Sequence, residues 1–90
     1  MDRERAVLLT AESISLLLSA LDSHLYWSVT PTHLRRDGHS QILDAKDEPS
    51  EAVYSDGESA EFETGYTAKE TVKHAQEVTR LADRLREASR

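Results

Sequence analysis

The chain contains no cysteine. That excludes a disulfide, a thiolate ligand for zinc and a thiol nucleophile. Aromatic bulk is scarce, with one Trp, one Phe and three Tyr in 90 residues, so few large pieces exist from which to build a core. A single domain this short buries only ~60% of the surface its unfolded chain exposes. The three glycines are isolated, which rules out a Gly-rich phosphate-binding loop. Long apolar runs are missing as well. Ile14 to Leu21 is interrupted by Ser15 and Ser19 and falls short of the ~20 apolar residues a membrane span needs. Asp2 and Glu4 interrupt any basic start, and Ala6 to Leu9 is too short for the apolar region of a secretion signal. The expected location is the cytoplasm, with no membrane contact.

Positive charge is also in deficit. The net charge is -6, which argues against direct nucleic-acid binding, because nothing would draw phosphates in. The acidity belongs to one segment. Asp44 to Tyr66 carries eight acids (Asp44, Asp47, Glu48, Glu51, Asp56, Glu58, Glu61 and Glu63) against Lys46, a balance of -7 that leaves the remainder at +1. With Pro49, Gly57 and Gly65 and few sizeable apolar groups, it reads as a flexible acidic loop.

What the chain does have is leucine at helical spacing. Thr10 is a good N-cap and Glu12 an anion in the first turn, so a first helix is expected over about Ala11 to Ser28. On a helical wheel Ala11, Ile14, Leu17, Leu18, Leu21 and Leu25 share one broad face. Leu16, Ala20 and Trp27 form a second, narrower stripe away from it. A helix apolar on two sides asks for two contacts: one with the second helix, the other with the middle segment or a second molecule.

Val29-Thr30-Pro31 ends that helix, because the residue before proline avoids the helical region. Thr30-Pro31 also resembles a new N-cap, giving a single helical turn over Pro31 to Arg36 that stops at Gly38. Gln41-Ile42-Leu43 reads as a strand or as a loop covering Trp27. Thr67-Ala68-Lys69-Glu70 matches the capping box and opens a second helix to about Ala88. Its seam is expected to run through Thr71, His74, Val78, Leu81, Leu85 and Ala88, with Ala75 and Ala82 widening it. The resulting fold is mainly α: one small domain, an antiparallel helical hairpin with a short middle turn and an acidic flexible loop. The residues expected to pack the helices or a dimer are Ile14, Leu18, Leu21, Leu25, His74, Val78, Leu81 and Leu85. A bare helical pair leaves each helix with one wet flank, so a homodimer or a fixed partner is expected.

No catalytic pattern emerges. His24, His33 and His39 lie close in sequence, but their spacing matches no zinc motif, and they read as a helix-end and two surface histidines. Asp22, Ser23 and His24 are consecutive, so their side chains diverge on a helix and cannot align as a triad. The carboxylates of the acidic segment have no apolar wall to raise a pKa. No cofactor, metal or small-molecule substrate is expected. Arg80, Arg84, Arg86 and Arg90, with Arg35 and Arg36, would form a basic patch but for Asp83 and Glu87. Trp27 with Tyr26 has two readings: a cap on the end of the core, or a binding hot spot.

The run Ala20-Leu21-Asp22-Ser23-His24-Leu25-Tyr26-Trp27 resembles a short signature in small uncharacterised two-helix proteins of actinobacteria and their phages. Leu25 stands where that signature has an acidic residue, and the linker here is longer. The resemblance carries no activity; it implies a phage or mobile-element accessory protein. Eight arginines against three lysines fit a GC-rich genome. Together these features lead to the expectation of a small non-enzymatic interaction protein that binds a host or phage protein, with Leu16, Ala20, Tyr26 and Trp27 as the contact. The alternative is an acidic nucleic-acid mimic, or an antitoxin-like inhibitor of a nucleic-acid-processing protein, acting through Asp44 to Glu63.

Overall fold

Helix α1 spans Ala11–His24. Its start is fixed locally: the Thr10 hydroxyl accepts a hydrogen bond from the Ser13 amide at 3.0 Å, satisfying one of the orphan donors of the first turn. The computed structural model describes residues 7–89. The charged start Met1 to Arg5, and Arg90 of the basic patch, lie outside the described residues.

Beyond His24 the chain continues as a π turn over Leu25–Val29. The Thr30 amide closes it by donating to the Leu25 carbonyl at 2.9 Å, one residue wider than an α-helical bond. Thr30 is fully buried. Its hydroxyl lies 2.6 Å from the Leu25 carbonyl oxygen and 2.8 Å from the Ser40 hydroxyl. A hydroxyl has one proton to give, so Thr30 donates to Leu25 and accepts from Ser40. The expected role of Thr30 as an N-cap is therefore replaced: its side chain closes the helix behind it rather than opening the turn ahead.

That turn is a 3₁₀ segment, Thr32–Leu34. It leads into a two-stranded antiparallel hairpin, β1 (Arg35–Arg36) and β2 (His39–Ser40), paired Arg35 with Ser40 and Arg36 with His39. Asp37 and Gly38 form the two-residue connection, both at positive φ (50° and 80°), as a tight hairpin turn requires. Gly38 thus turns a hairpin, where a helix stop was expected.

The acidic segment is folded onto the rest of the chain. Asp44 Oδ1 accepts from the amides of Lys46 (2.8 Å) and Glu48 (3.1 Å), the Ser50 amide reaches back to the Ile42 carbonyl, and Glu51–Tyr54 forms a 3₁₀ turn. Asp56-Gly57 lies in the turn that follows. The segment's position has a clear cause at its far end. Helix α2 (Ala68–Ala88) begins with amides that need acceptors. Ala68 donates to the Ala60 carbonyl at 2.8 Å and Lys69 to that of Glu58 at 3.1 Å. The expected capping box supplies two more: the Glu70 amide donates to the Thr67 hydroxyl and the Thr67 amide to Glu70 Oε1. The loop wraps the helix start because it holds those acceptors. A flexible loop was expected over Asp44 to Tyr66; a hydrogen-bonded, core-contributing segment is found.

The core joins Val29, Leu34, Ile42, Val53, Val72 and Ala75, with Leu25, Leu43, Tyr54 and Phe62 packed around it. Most of it comes from the middle of the chain. Only Val72 and Ala75 come from α2, and Leu25 of the π turn packs at its edge. Helix α2 turns Ala68, Thr71, Val72, Ala75 and Ala82 inward, so its core face is centred about a quarter turn from the expected seam. The small face lies inward because Ile42 and Val53 already supply bulk there, and alanine lets the backbones approach. His74, Val78 and Leu85 are half-buried, Ala88 is exposed, and Leu81 is 46% exposed, outside the packing it was expected to join. On α1, Ile14 is buried and Leu18 and Leu21 are half-buried, as is Leu25 at the start of the π turn, whereas Ala11 and Leu17 of the same expected face are exposed. A shallow cleft of about 100 Å³ between the helices is lined by Leu18, Leu21 and Leu25 from the α1 side and by Val78 and Ala82 from α2. The architecture is mainly helical, two helices in contact with a small two-stranded sheet between them in sequence. Among the described residues no helix is long and apolar enough to cross a membrane.

Candidate protein-binding surface

The outer face of α1 carries the stripe expected from the wheel. Leu16 is 71% exposed and Ala20 is also exposed. Both sit across the helix from Leu18, Leu21 and Leu25, which turn inward. Trp27 follows at the π turn and is 63% exposed. It does not lie beneath the segment from Thr30 to Leu43, so the core-cap reading of Trp27 fails. Ile42, in the segment read as a strand or as a loop covering Trp27, is fully buried in the core. Tyr26 is half-buried and meets the Trp27 ring edge-on, with centroids 4.8 Å apart and planes at 85°, a geometry aromatic quadrupoles favour.

Arg35 holds this end in place, and the sequence reading missed it. Its Nε donates to the carbonyls of Tyr26 (2.9 Å) and Thr30 (3.2 Å), and its Nη2 to that of Trp27 (2.9 Å). The guanidinium carbon also lies 5.0 Å from the Trp27 ring centroid and 5.7 Å from that of Tyr26, within cation–π reach. A terminating helix leaves its last carbonyls without partners, and a planar guanidinium suits several acceptors at once. The hairpin is what brings Arg35 back to the helix end. Glu63 anchors the approach to that hairpin, accepting from the Thr32 amide at 2.5 Å. This hydrogen bond to the charged form is the main reason its pKa is lowered; nearby His33 contributes less.

The histidines do not converge. His24 ends α1 exposed, His33 packs edge-on against Phe62 at 5.5 Å, and His39 lies on β2. His74 stacks near Tyr66 at 4.6 Å and lies 3.9 Å from Glu77. Among the described residues no group of three His, Asp or Glu side chains is placed to hold a metal ion.

A second feature went unseen in the sequence. A cavity of about 210 Å³ is lined by Leu25, Tyr26, His39 and Leu43 together with Asp22, Asp44 and Asp47. These residues come from α1, the π turn, β2 and the stretch from Leu43 to Asp47, with Ala75 and Thr79 of α2 completing the wall, so no local signal announces it. All eight acids between Asp44 and Glu63 are exposed. Among the described residues the ion pairs are His74 with Glu77 and Arg86 with Asp83, and neither involves those eight. The class these features define is a small, mainly helical protein with an exposed apolar stripe and an acidic flank. No family model, curated protein or solved structure matches the chain.

Proposed function

We propose that the chain is a small non-enzymatic protein–protein interaction protein. It would work in the cytoplasm as an accessory factor of phage or mobile-element type, occupying a surface on a host or phage protein. The observation that carries this reading is the stripe of Leu16, Ala20 and Trp27, solvent-facing while the opposite side of α1 turns to α2. Exposed leucine and tryptophan on one helix face are costly to leave in water and fit the helix-in-groove mode of recognition. Tyr26 and Arg35 present the tryptophan at a fixed angle, which lowers the ordering cost of docking. The proposal includes an antiparallel hairpin. It is supported by the linings of the two clefts taken together: Asp22 and Leu25 share a cavity with Ala75 and Thr79, whereas Leu18 lines only the cleft that extends to Ala82 and Arg86.

The experiment is an affinity capture with wild type, Trp27→Ala and Leu16→Glu, each checked for native helicity by circular dichroism. A partner retained by wild type in high salt and lost by both variants supports apolar docking. Equal retention by all three defeats it. A second reading, acidic mimicry of nucleic acid or antitoxin-like inhibition, is favoured by one observation: the eight exposed carboxylates without ion pairs among the described residues. That binding would weaken steeply as salt rises and would disappear on deleting residues 47–63, a deletion that also removes Val53 from the core. Charge-neutralising Glu48→Gln, Glu51→Gln and Glu58→Gln together are therefore the cleaner test.

A further inference from the structure

We infer that the cavity between the end of α1, the hairpin and α2 receives one basic side chain, a lysine or an arginine, from a segment of a partner protein. It is a second contact, separate from the α1 stripe, and it does not rest on that stripe being used.

The size of the space sets the kind of occupant. About 210 Å³ is less than the ~300–1,000 Å³ usual for small-molecule sites, and suits one long side chain. The wall has two chemistries. Leu25, Leu43 and Ala75 give an apolar lining, half-buried or buried, and half-buried Tyr26 adds an aromatic ring. Asp22, Asp44 and Asp47 line it too and are exposed, so they mark its mouth. Among the described residues no lysine or arginine lines the cavity, and none of the three carboxylates has an ion-pair partner. An aliphatic stem that lies along apolar surface and ends in a cation is the form of lysine and arginine. An inorganic cation would leave the apolar wall unused. A purely apolar side chain would leave the carboxylates unpaired beside it.

Two of the carboxylates sit on a braced loop. Asp44 Oδ1 accepts from the Lys46 and Glu48 amides, which leaves Oδ2 for a donor from outside. The Asp47 carbonyl accepts from the Gln76 side chain at 3.4 Å, tying the loop to α2. A site held in place by the fold loses little entropy on binding. The net charge of -6 also steers a basic partner toward the molecule.

The surroundings favour a chain segment over a free amine, because two further clefts open from the cavity. One, about 100 Å³, shares Asp22, Leu25 and Thr79 with it and continues over Leu18, Leu21 and Ala82. The other, about 280 Å³, shares Asp47 and Thr79 and is polar, with Lys46 and Arg80 balanced by Glu48 and Asp83. All three meet at Thr79. A free amine needs only the cavity. A segment uses the flanks as well, the apolar cleft for an aliphatic neighbour of the basic residue and the polar one for backbone.

The test titrates the full chain, followed by its amide chemical shifts, with lysine and arginine each blocked as the N-acetyl methylamide. Saturable shifts of the His39, Leu43 and Thr79 amides are expected, weakening as salt rises. Blocked norleucine lacks the ammonium and methylammonium lacks the stem; each should bind at least about tenfold more weakly. Asp22→Asn and Asp47→Asn should each weaken binding about two- to fivefold. Asparagine tolerates the positive φ of Asp47. Glu58→Gln, outside the cavity, should leave binding unchanged. Thr79→Leu, which fills the junction of the clefts, should abolish it with helicity retained by circular dichroism. Leu16→Glu should leave it intact, so failure of the stripe and failure of this site are told apart. Methylammonium binding as well as blocked lysine overturns the inference, as does Glu58→Gln weakening it as much as Asp22→Asn; either reduces the site to diffuse acidity. Pentylammonium binding more tightly than blocked lysine makes the occupant a free amine and overturns it too. So does the absence of saturable shifts with both blocked residues.

Discussion

The Arg35 guanidinium carbon lies 5.0 Å from the Trp27 ring centroid while its Nη2 donates to the Trp27 carbonyl at 2.9 Å. One side chain thus grips both the backbone and the ring of the most exposed aromatic. It links the closing of the α1 helix, through the carbonyls of residues 26, 27 and 30, to the presentation of the candidate contact. Hydrogen bonds involving a charged group contribute about 1.5–3 kcal/mol, and here the arginine is half-buried. Arg35→Ala is expected to destabilise the fold by about 1–3 kcal/mol in urea denaturation, with a change in Trp27 fluorescence in the native state. Arg35→Lys should recover less than half, since an ammonium cannot reach acceptors spread along the helix end as a planar fork does. An Arg35→Ala variant with the wild-type midpoint would remove this side chain from the account of the helix end.

The position of the core makes an opposite pair of expectations for two aliphatic residues. Ile42 is fully buried at the centre of the core, and Leu16 is 71% exposed on α1. Ile42→Ala is expected to cost about 2–5 kcal/mol through lost contact and a residual cavity. Leu16→Ala should stay within about 0.5 kcal/mol of wild type in the monomer, measured in dilute solution so that association does not add stability. The reverse order would place the core on the leucines of α1.

Much of this core was hidden in the sequence. Caps were legible because they are local: Thr10, Thr67 and Glu70 act on amides three residues away. The Leu16–Ala20 stripe was legible because exposure follows helical period. The core was not, since Ile42 and Val53 lie in apolar runs of two and three residues, Ile42-Leu43 and Ala52-Val53-Tyr54, too short to show a period. The Asp37-Gly38 hairpin carried the usual two-residue turn signal, but its strands are two residues each, Arg35–Arg36 and His39–Ser40, and show no alternation. The seam of α2 was misplaced because leucine and valine dominate a wheel, while the packed face is mainly alanine and threonine. Arg35 reaches the helix end only through that hairpin. The cavity beside Asp22, Asp44 and Asp47 joins residues brought together by long-range folding alone.

Thr71 gives a prediction in the stabilising direction. It is fully buried on α2, and its hydroxyl has no hydrogen-bond partner among the described residues. A buried hydroxyl left unpaired costs about 1–3 kcal/mol in desolvation. Valine has nearly the same shape without that cost, and both are β-branched, so helix propensity changes little. Thr71→Val is expected to raise stability by about 1 kcal/mol, seen as a higher urea midpoint with unchanged slope. A drop would show that the hydroxyl has a partner, such as a buried water.

Glu63 ties the acidic segment to the turn before β1 by accepting from the Thr32 amide at 2.5 Å. That bond to the charged form is the first cause of its lowered pKa. A carboxyl with a lower pKa in the folded state binds fewer protons there than when unfolded across the interval between the two values. Its contribution is therefore fully present above the ordinary carboxylate range and disappears as pH falls through the folded value. Glu63→Gln removes the titration and keeps a neutral acceptor. At neutral pH it should lower stability by less than about 1 kcal/mol, because the group is exposed and water screens it. The gap between wild type and Glu63→Gln should narrow as the solution is acidified through the carboxylate range and close below it. Glu70, lowered by its bond from the Thr67 amide, is present in both proteins, so its titration cancels in the difference. Urea midpoints for the pair across an acid-to-neutral series measure this directly; a gap constant with pH would show that the Thr32 contact does not depend on the charge of Glu63.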